Sequence, residues 1–171
     1  MGNARDRLTV TWSNTIQSGT GEPYETLRQV QTARILGLYF RLLVPERSRL
    51  EAVSGGQVVA VSNAELIETE SGRTAFGNYL MIPPGKAHLV YAWVSPYAAS
   101  SDPSGWTYRL IVQKQPGTLD QAIAIQIAVP EGMRITEASP GFEVDGRTAR
   151  LATRLSRDLE LFVRYAPEPA G

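Results

Sequence analysis

Apolar and polar residues alternate along most of this chain with a period of two. Leu8, Val10 and Trp12 share one side of a first run. Leu36, Leu38, Phe40 and Leu42 share one side of a second, and Ile35, Tyr39, Leu43 and Val44 make its other side apolar too. Such alternation predicts half-buried strands, and a strand apolar on both sides is expected at the centre of a sandwich. Shorter runs predict strands at 50–53, 58–61, 66–67, 75–82 and 87–94, broken by Gly55-Gly56 and Pro83-Pro84-Gly85. The second half continues with strands at 108–112, 122–129, 133–138, 142–144, 147–152 and 159–165. Between two of these, Asp145-Gly146 supplies the positive φ of a tight hairpin turn. Helical spacing is confined to Tyr24, Leu27, Val30 and Arg34, a short helix of one or two turns.

The two halves also repeat each other. Arg7-Leu8-Thr9-Val10 matches Arg109-Leu110-Ile111-Val112. Leu43-Val44-Pro45-Glu46, ahead of Arg49-Leu50-Glu51-Ala52, matches Ala128-Val129-Pro130-Glu131, ahead of Arg134-Ile135-Thr136-Glu137-Ala138. Gly72-Arg73-Thr74-Ala75 recurs as Gly146-Arg147-Thr148-Ala149, and Leu89-Val90-Tyr91-Ala92-Trp93 as Leu161-Phe162-Val163-Arg164-Tyr165. The matches keep one order, and self-similarity of this kind dictates architecture. Their offsets shrink from 102 at Val10 to 85 at Val44, 74 at Gly72 and 72 at Leu89. The first copy therefore carries 17 extra residues before Val44 and 11 between Val44 and Gly72, which belong to insertions at 15–34 and 54–70. Folding alone accounts for the shared parts, so the insertions are expected to hold what is specific to the first copy.

Residues 95–105 are rich in Ser, Pro and Ala, which places a linker at 98–105, between a first module at 1–97 and a smaller second one at 106–171. The expected fold class is all-β: tandem immunoglobulin-like antiparallel β-sandwich modules. The alternative is one larger β-sandwich in which the repeats supply the two halves.

Composition narrows the function classes. The 17 basic and 17 acidic residues cancel and no basic stripe appears, so nucleic acid is not expected as a partner. With no cysteine, thiol catalysis, zinc–thiolate sites, iron–sulfur clusters and disulfides are excluded. No run approaches the roughly 20 apolar residues of a membrane helix. This segment is therefore not expected to contact a membrane itself. Residues 166–171 read as a linker or tail, and the chain is expected to be a piece of a larger protein.

Candidate chemistry is sparse. His88 is the sole histidine and the only candidate proton shuttle for a catalytic triad, but no G-x-S-x-G elbow accompanies it. A half-exposed strand residue is the simpler reading. Glu65, Glu68 and Glu70 cluster as paired carboxylates or calcium ligands would, yet no D-x-D-x-D-G loop is present, and acidic residues also protect sheet edges. Gly19-Thr20-Gly21-Glu22 lacks the full pattern of a phosphate cradle. Lys114 shares the phase of Tyr108, Leu110 and Val112, where a lysine cross-links to asparagine in some bacterial surface sandwiches; snorkelling to solvent is the bland alternative. No catalytic, cofactor-binding or metal-binding residue is assigned, and no cofactor is expected. The remaining candidates are Tyr91, Trp93, Tyr97 and Trp106, which flank the linker. Aromatic residues there either stack on sugar rings and anchor a partner, or pack the modules together.

Four phrases carry a family resemblance: Leu8-Thr9-Val10-Thr11-Trp12-Ser13-Asn14, Tyr39-Phe40-Arg41-Leu42-Leu43-Val44-Pro45, Phe76-Gly77-Asn78-Tyr79-Leu80-Met81-Ile82-Pro83-Pro84-Gly85, and Tyr108-Arg109-Leu110-Ile111-Val112-Gln113-Lys114-Gln115-Pro116-Gly117. Together they resemble the C-terminal β-rich part of a bacterial family catalogued as domain of unknown function four-zero-one-two. The resemblance implies a single-pass membrane protein with a large extracytoplasmic part and no assigned activity, and it transfers no catalytic residue. The expected function is thus a non-catalytic interaction or structural module of a bacterial cell-envelope protein. It would sit outside the cytoplasm within a larger membrane-anchored chain, with a protein or cell-wall polymer as partner. The alternative is a carbohydrate- or cell-wall-binding accessory module.

Overall fold

A computed structural model describes residues 2–15, 35–55, 59–60 and 66–169. Thirteen strands follow in order: β1 (Gly2–Asn14), β2 (Leu36–Pro45), β3 (Arg49–Ser54), β4 (Val59–Ala60), β5 (Leu66–Glu70), β6 (Arg73–Ile82), β7 (Gly85–Asp102), β8 (Gly105–Val112), β9 (Gln121–Ala128), β10 (Met133–Ala138), β11 (Glu143–Asp145), β12 (Thr148–Leu155) and β13 (Leu159–Pro167). No helix occurs among the described residues; the helical spacing at 24–34 falls outside them. The protein is all-β, and each pairing with a defined register is antiparallel. The chain divides into two compact units, Asn3–Pro96 and Tyr97–Gly171, the latter also taking Met1–Gly2.

In the first unit, β7 lies between β1 and β3, while β6 lies between β2 on one side and β4 and β5 on the other. The alternation dictates what lies between these sheets. Leu8 and Trp12 of β1, Leu38 and Phe40 of β2, Leu50 and Val53 of β3 and Trp93 of β7 close around buried Val44, Phe76, Leu80, Ile82, Leu89 and Tyr91. Each such fully buried large side chain contributes about 1.5–3 kcal/mol of transfer free energy. Trp12 meets Phe40 edge-on at 5.5 Å, the geometry that ring quadrupoles favour. At the end of β1, buried Asn14 donates from Nδ2 to the carbonyl oxygen of Ile82 (2.8 Å), tying β1 to β6.

The second unit has the same plan. β13 lies between β8 and β10, and β12 lies between β9 and β11. Its core is smaller: Val129, Ala149 and Val163 are buried, with Ile127, Met133, Ile135, Phe142 and Tyr165 around them. Strand for strand, β1, β2, β3, β5, β6 and β7 correspond to β8, β9, β10, β11, β12 and β13, with the same neighbours. The sequence matches fall on equivalent places. Val44 and Val129, Ala75 and Ala149, Leu89 and Leu161, and Tyr91 and Val163 are all buried.

Irregular features recur as well. The β2–β3 turn closes with Ser48 N donating to Pro45 O, and the β9–β10 turn with Met133 N donating to Pro130 O. Both turns need a left-handed residue, which is Arg47 (φ 63°) in one and Gly132 (φ 74°) in the other. A bulge between Leu50 and Ala52 in β3 reappears between Ile135 and Glu137 in β10. Bulges re-aim a strand and resist casual loss, so a shared bulge is a strong mark of a shared fold.

Three expectations need correction. β2 is not central: among the described residues it lies at the edge of its sheet, and Tyr39 and Leu43 of its second apolar side are exposed. The Ser/Pro/Ala-rich segment is strand rather than linker: β7 runs to Asp102, and residues 99–102 pair with β8 at Tyr108, Thr107, Trp106 and Gly105. Small residues there satisfy a hairpin, with Asp102 Oδ1 accepting the Ser104 amide (2.7 Å) across the turn. The β11–β12 turn is centred one residue later than Asp145-Gly146, because Asp145 pairs with Thr148 and leaves Gly146-Arg147 as the loop. Glycine at the first loop position, with φ 54°, is what a type II′ hairpin takes.

Candidate functional site

The four aromatic candidates have different fates. Tyr91 is 1% exposed, its ring 5.5 Å from Phe40, and as core it offers no ligand surface. Alternation along β7 turns it inward with Ala87 and Leu89. Trp93 is half-buried against the first unit's core. Its indole Nε1 donates to Ser95 Oγ (3.0 Å), which donates to Asp6 Oδ2 (2.6 Å), and Ser48 Oγ lies 3.4 Å from Ser95 Oγ. Ser95 and Ser48 are buried, so this network satisfies polar groups that would otherwise be costly, and it consumes the tryptophan's one polar handle. In the second unit, Tyr97 is 64% exposed and holds φ at 56°, a conformation that a bulky residue rarely adopts. Half-buried Trp106 stacks nearly parallel on its cross-strand partner Tyr165 at 6.0 Å. Burial pushes the Tyr165 phenol up from its ordinary pKa.

A different aromatic pair is open to solvent. Tyr39 of β2 and Tyr79 of β6 are register partners on the outer face of the first unit, 42% and 51% exposed, with centroids 4.6 Å apart and planes tilted by 38°. Tyr39 lies over Gly77, where a Cβ would collide with its hydroxyl. The glycine thus leaves room for the end of the Tyr39 ring above the sheet, where the ring leans against Tyr79. Neighbouring Leu43 adds exposed apolar surface, and Met81 is half-buried. The sequence carried a signal for this surface. Tyr39 sits on the unexplained second apolar side of β2 and Tyr79 in the opposite phase from Phe76 and Leu80, but only the register shows that they meet.

One shallow concavity among the described residues, on the outer face of β8 and β13, is lined by Arg109, Ile111, Glu160 and Phe162 and encloses about 190 Å³. Small-molecule sites usually need roughly 300–1,000 Å³. Among the described residues no group of His, Asp and Glu is placed to hold a metal. His88 is exposed on β7. Glu68 and Glu70 lie in β5 opposite Ala75 and Arg73, whereas Glu65 and residues 19–22 fall outside the described residues. Lys114 Nζ donates to the Thr118 hydroxyl (2.8 Å) and carbonyl, so the amine closes its own turn. Of the insertions, 16–34 lies outside the described residues, while 54–70 contains β4, a strand with no counterpart in the second unit.

Compared with protein-family models, with curated proteins and with solved structures, the chain matches none.

Proposed function

We propose that this chain is a non-catalytic interaction or structural module of a bacterial cell-envelope protein, acting outside the cytoplasm as part of a larger membrane-anchored chain. The observation that carries the reading is the shared plan of the two units. In each, the second, fifth and fourth common strands form one sheet, and the third and sixth belong to the other. In the immunoglobulin sandwich, B, E and D share one sheet and C and F the other. The first strand here takes the place beside F that strand G would fill. Tandem immunoglobulin-like modules are a common spacer and adhesion architecture, although fold alone does not fix function. Protease treatment of intact cells of the source bacterium tests the location. Release of peptides from this chain without lysis is expected, and its complete protection would overturn the reading.

A second reading, a module that binds carbohydrate or cell-wall polymer, is favoured by Tyr39 and Tyr79. A pair of half-exposed tyrosines on the outer face of a sheet offers apolar ring surface against which a sugar ring can pack. Co-sedimentation with purified cell-wall polymer is expected to weaken about tenfold for Tyr39→Ala or Tyr79→Ala, a loss near 1.4 kcal/mol. Trp93→Ala and Trp106→Ala are the contrasting pair. If these alone abolish binding, the tyrosine surface is not the site.

A further inference from the structure

We infer that the outer face of β8 and β13 is a self-association surface, and that its occupant is the same face of a second copy of this chain. Across the β8–β13 ladder Arg109 pairs with Phe162 and Ile111 with Glu160. These four side chains stand on the outer face at the corners of a rectangle, charges on one diagonal and apolar groups on the other. Ile111 is 57% exposed, and half-buried Phe162 lies under the Arg164 guanidinium, 5.8 Å from its ring centre. Arg164 is itself paired with Glu137 (2.8 Å). Arg109 and Glu160 are exposed, and their side chains have no hydrogen-bond or ion-pair partner among the described residues. The concavity between the four is too small for a typical ligand but suits the side chains of a facing protein. Folding does not require this pattern. The repeat places Arg7, Thr9, His88 and Val90 at the counterpart positions of the first unit, where the arginine remains but the carboxylate, the isoleucine and the phenylalanine do not.

The pattern is complementary to itself. A second copy turned about a two-fold axis along the Ile111–Phe162 diagonal sets Arg109 of each copy over Glu160 of the other. Isoleucine then meets isoleucine and phenylalanine meets phenylalanine. Every contact off such an axis is made twice. The strands of the two copies cross steeply, as in orthogonal sheet packing. An axis along the strands would instead set Arg109 over Phe162, and one across them would set Arg109 over Ile111. Either leaves charges covered and unpaired, which is costly. The charged diagonal thus selects one orientation, while the apolar diagonal supplies the surface to bury. This inference rests on neither the proposed location nor glycan binding, so it stands or falls separately.

Sedimentation velocity of the whole chain over a concentration series tests it, and a monomer–dimer equilibrium is expected. Arg109→Glu and Glu160→Arg each set like charges against each other at both contacts. Each is expected to weaken the dimer by about tenfold or more. An equimolar mixture of the two variants is expected to form a heterodimer, because an all-acidic diagonal then faces an all-basic one. Leu119→Ser removes an exposed apolar side chain of the β8–β9 loop and is expected to leave association unchanged. Circular dichroism checks that each variant folds. A chain that stays monomeric throughout the series would overturn the inference. So would a dimer that both charge reversals leave intact, a mixture that stays monomeric, or association lost in Leu119→Ser.

Discussion

At the scale of single residues, the repeat turns comparison of the two units into an internal experiment. Arg47 and Gly132 occupy the same left-handed position, and only glycine does so without a steric penalty. Arg47→Gly is expected to stabilise the first unit by up to about 1 kcal/mol, and Gly132→Ala to destabilise the second by about 1–2 kcal/mol, both read by urea denaturation. An unfavourable Arg47→Gly would mean that the arginine side chain contributes more than its backbone strain costs. Tyr165 gives a second residue-level expectation. Its phenol is raised by burial, so the folded state keeps its proton while the unfolded chain begins to lose it near pH 10. Stability tied to this group is full below that pH and falls as pH rises through the folded value. Tyr165→Phe should flatten this alkaline loss, and an unchanged alkaline profile would count against the assignment.

At the scale of elements, strands were legible and their neighbours were not. Leu8, Val10 and Trp12 announce β1 by local alternation, and Asp145-Gly146 announces a hairpin to within one residue. Nothing local says that β2 lies at an edge among the described strands. Tyr39 and Leu43 look like core residues in a one-dimensional pattern because a tyrosine packed over Gly77 and a tyrosine packed in a core read alike. Gly77→Ala should lift the Tyr39 ring off the sheet, since the added methyl needs the space of the hydroxyl. The yielding atom ends a flexible side chain, so the cost in stability is expected to stay below about 1 kcal/mol, while the near-ultraviolet dichroism of the Tyr39–Tyr79 pair changes. The β7–β8 hairpin misled the sequence reading for another reason: Ser, Pro and Ala are shared by linkers and tight turns, and pairing with β8 decides between them. Ser104 holds the Asp102 carboxyl below its ordinary pKa, through its hydroxyl first and its amide second. The hairpin should therefore be firm above the usual carboxylate range and loosen as pH falls through the lowered value. Faster exchange of β8 amides in acid, already present at neutral pH in Asp102→Ala, would show it.

At the scale of the whole molecule, the two units carry separate cores, one around Phe76, Leu80 and Tyr91 and one around Val163 and Ala149. Phe76→Ala is expected to cost about 3–5 kcal/mol and Val163→Ala about 2–3 kcal/mol, by lost transfer energy and residual cavity. Exchange protection should drop first in β2 and β6 for the former, and in β8, β10 and β13 for the latter. Opening of β13 first in Phe76→Ala would show that the division into units is not energetic. The sequence by itself determined that the protein is all-β, where most strands begin and end, and that it is built of one plan used twice. Those properties live in alternation, turn residues and self-similarity, all readable within a few positions. Tertiary structure alone decided which strands are edges, that Tyr91 is core while Tyr39 and Tyr79 are surface, and that residues 99–102 complete the second unit's sheet. Such outcomes depend on hydrogen bonds between residues far apart in the chain, where a shift of one position in register sends every side chain of a strand to the opposite face.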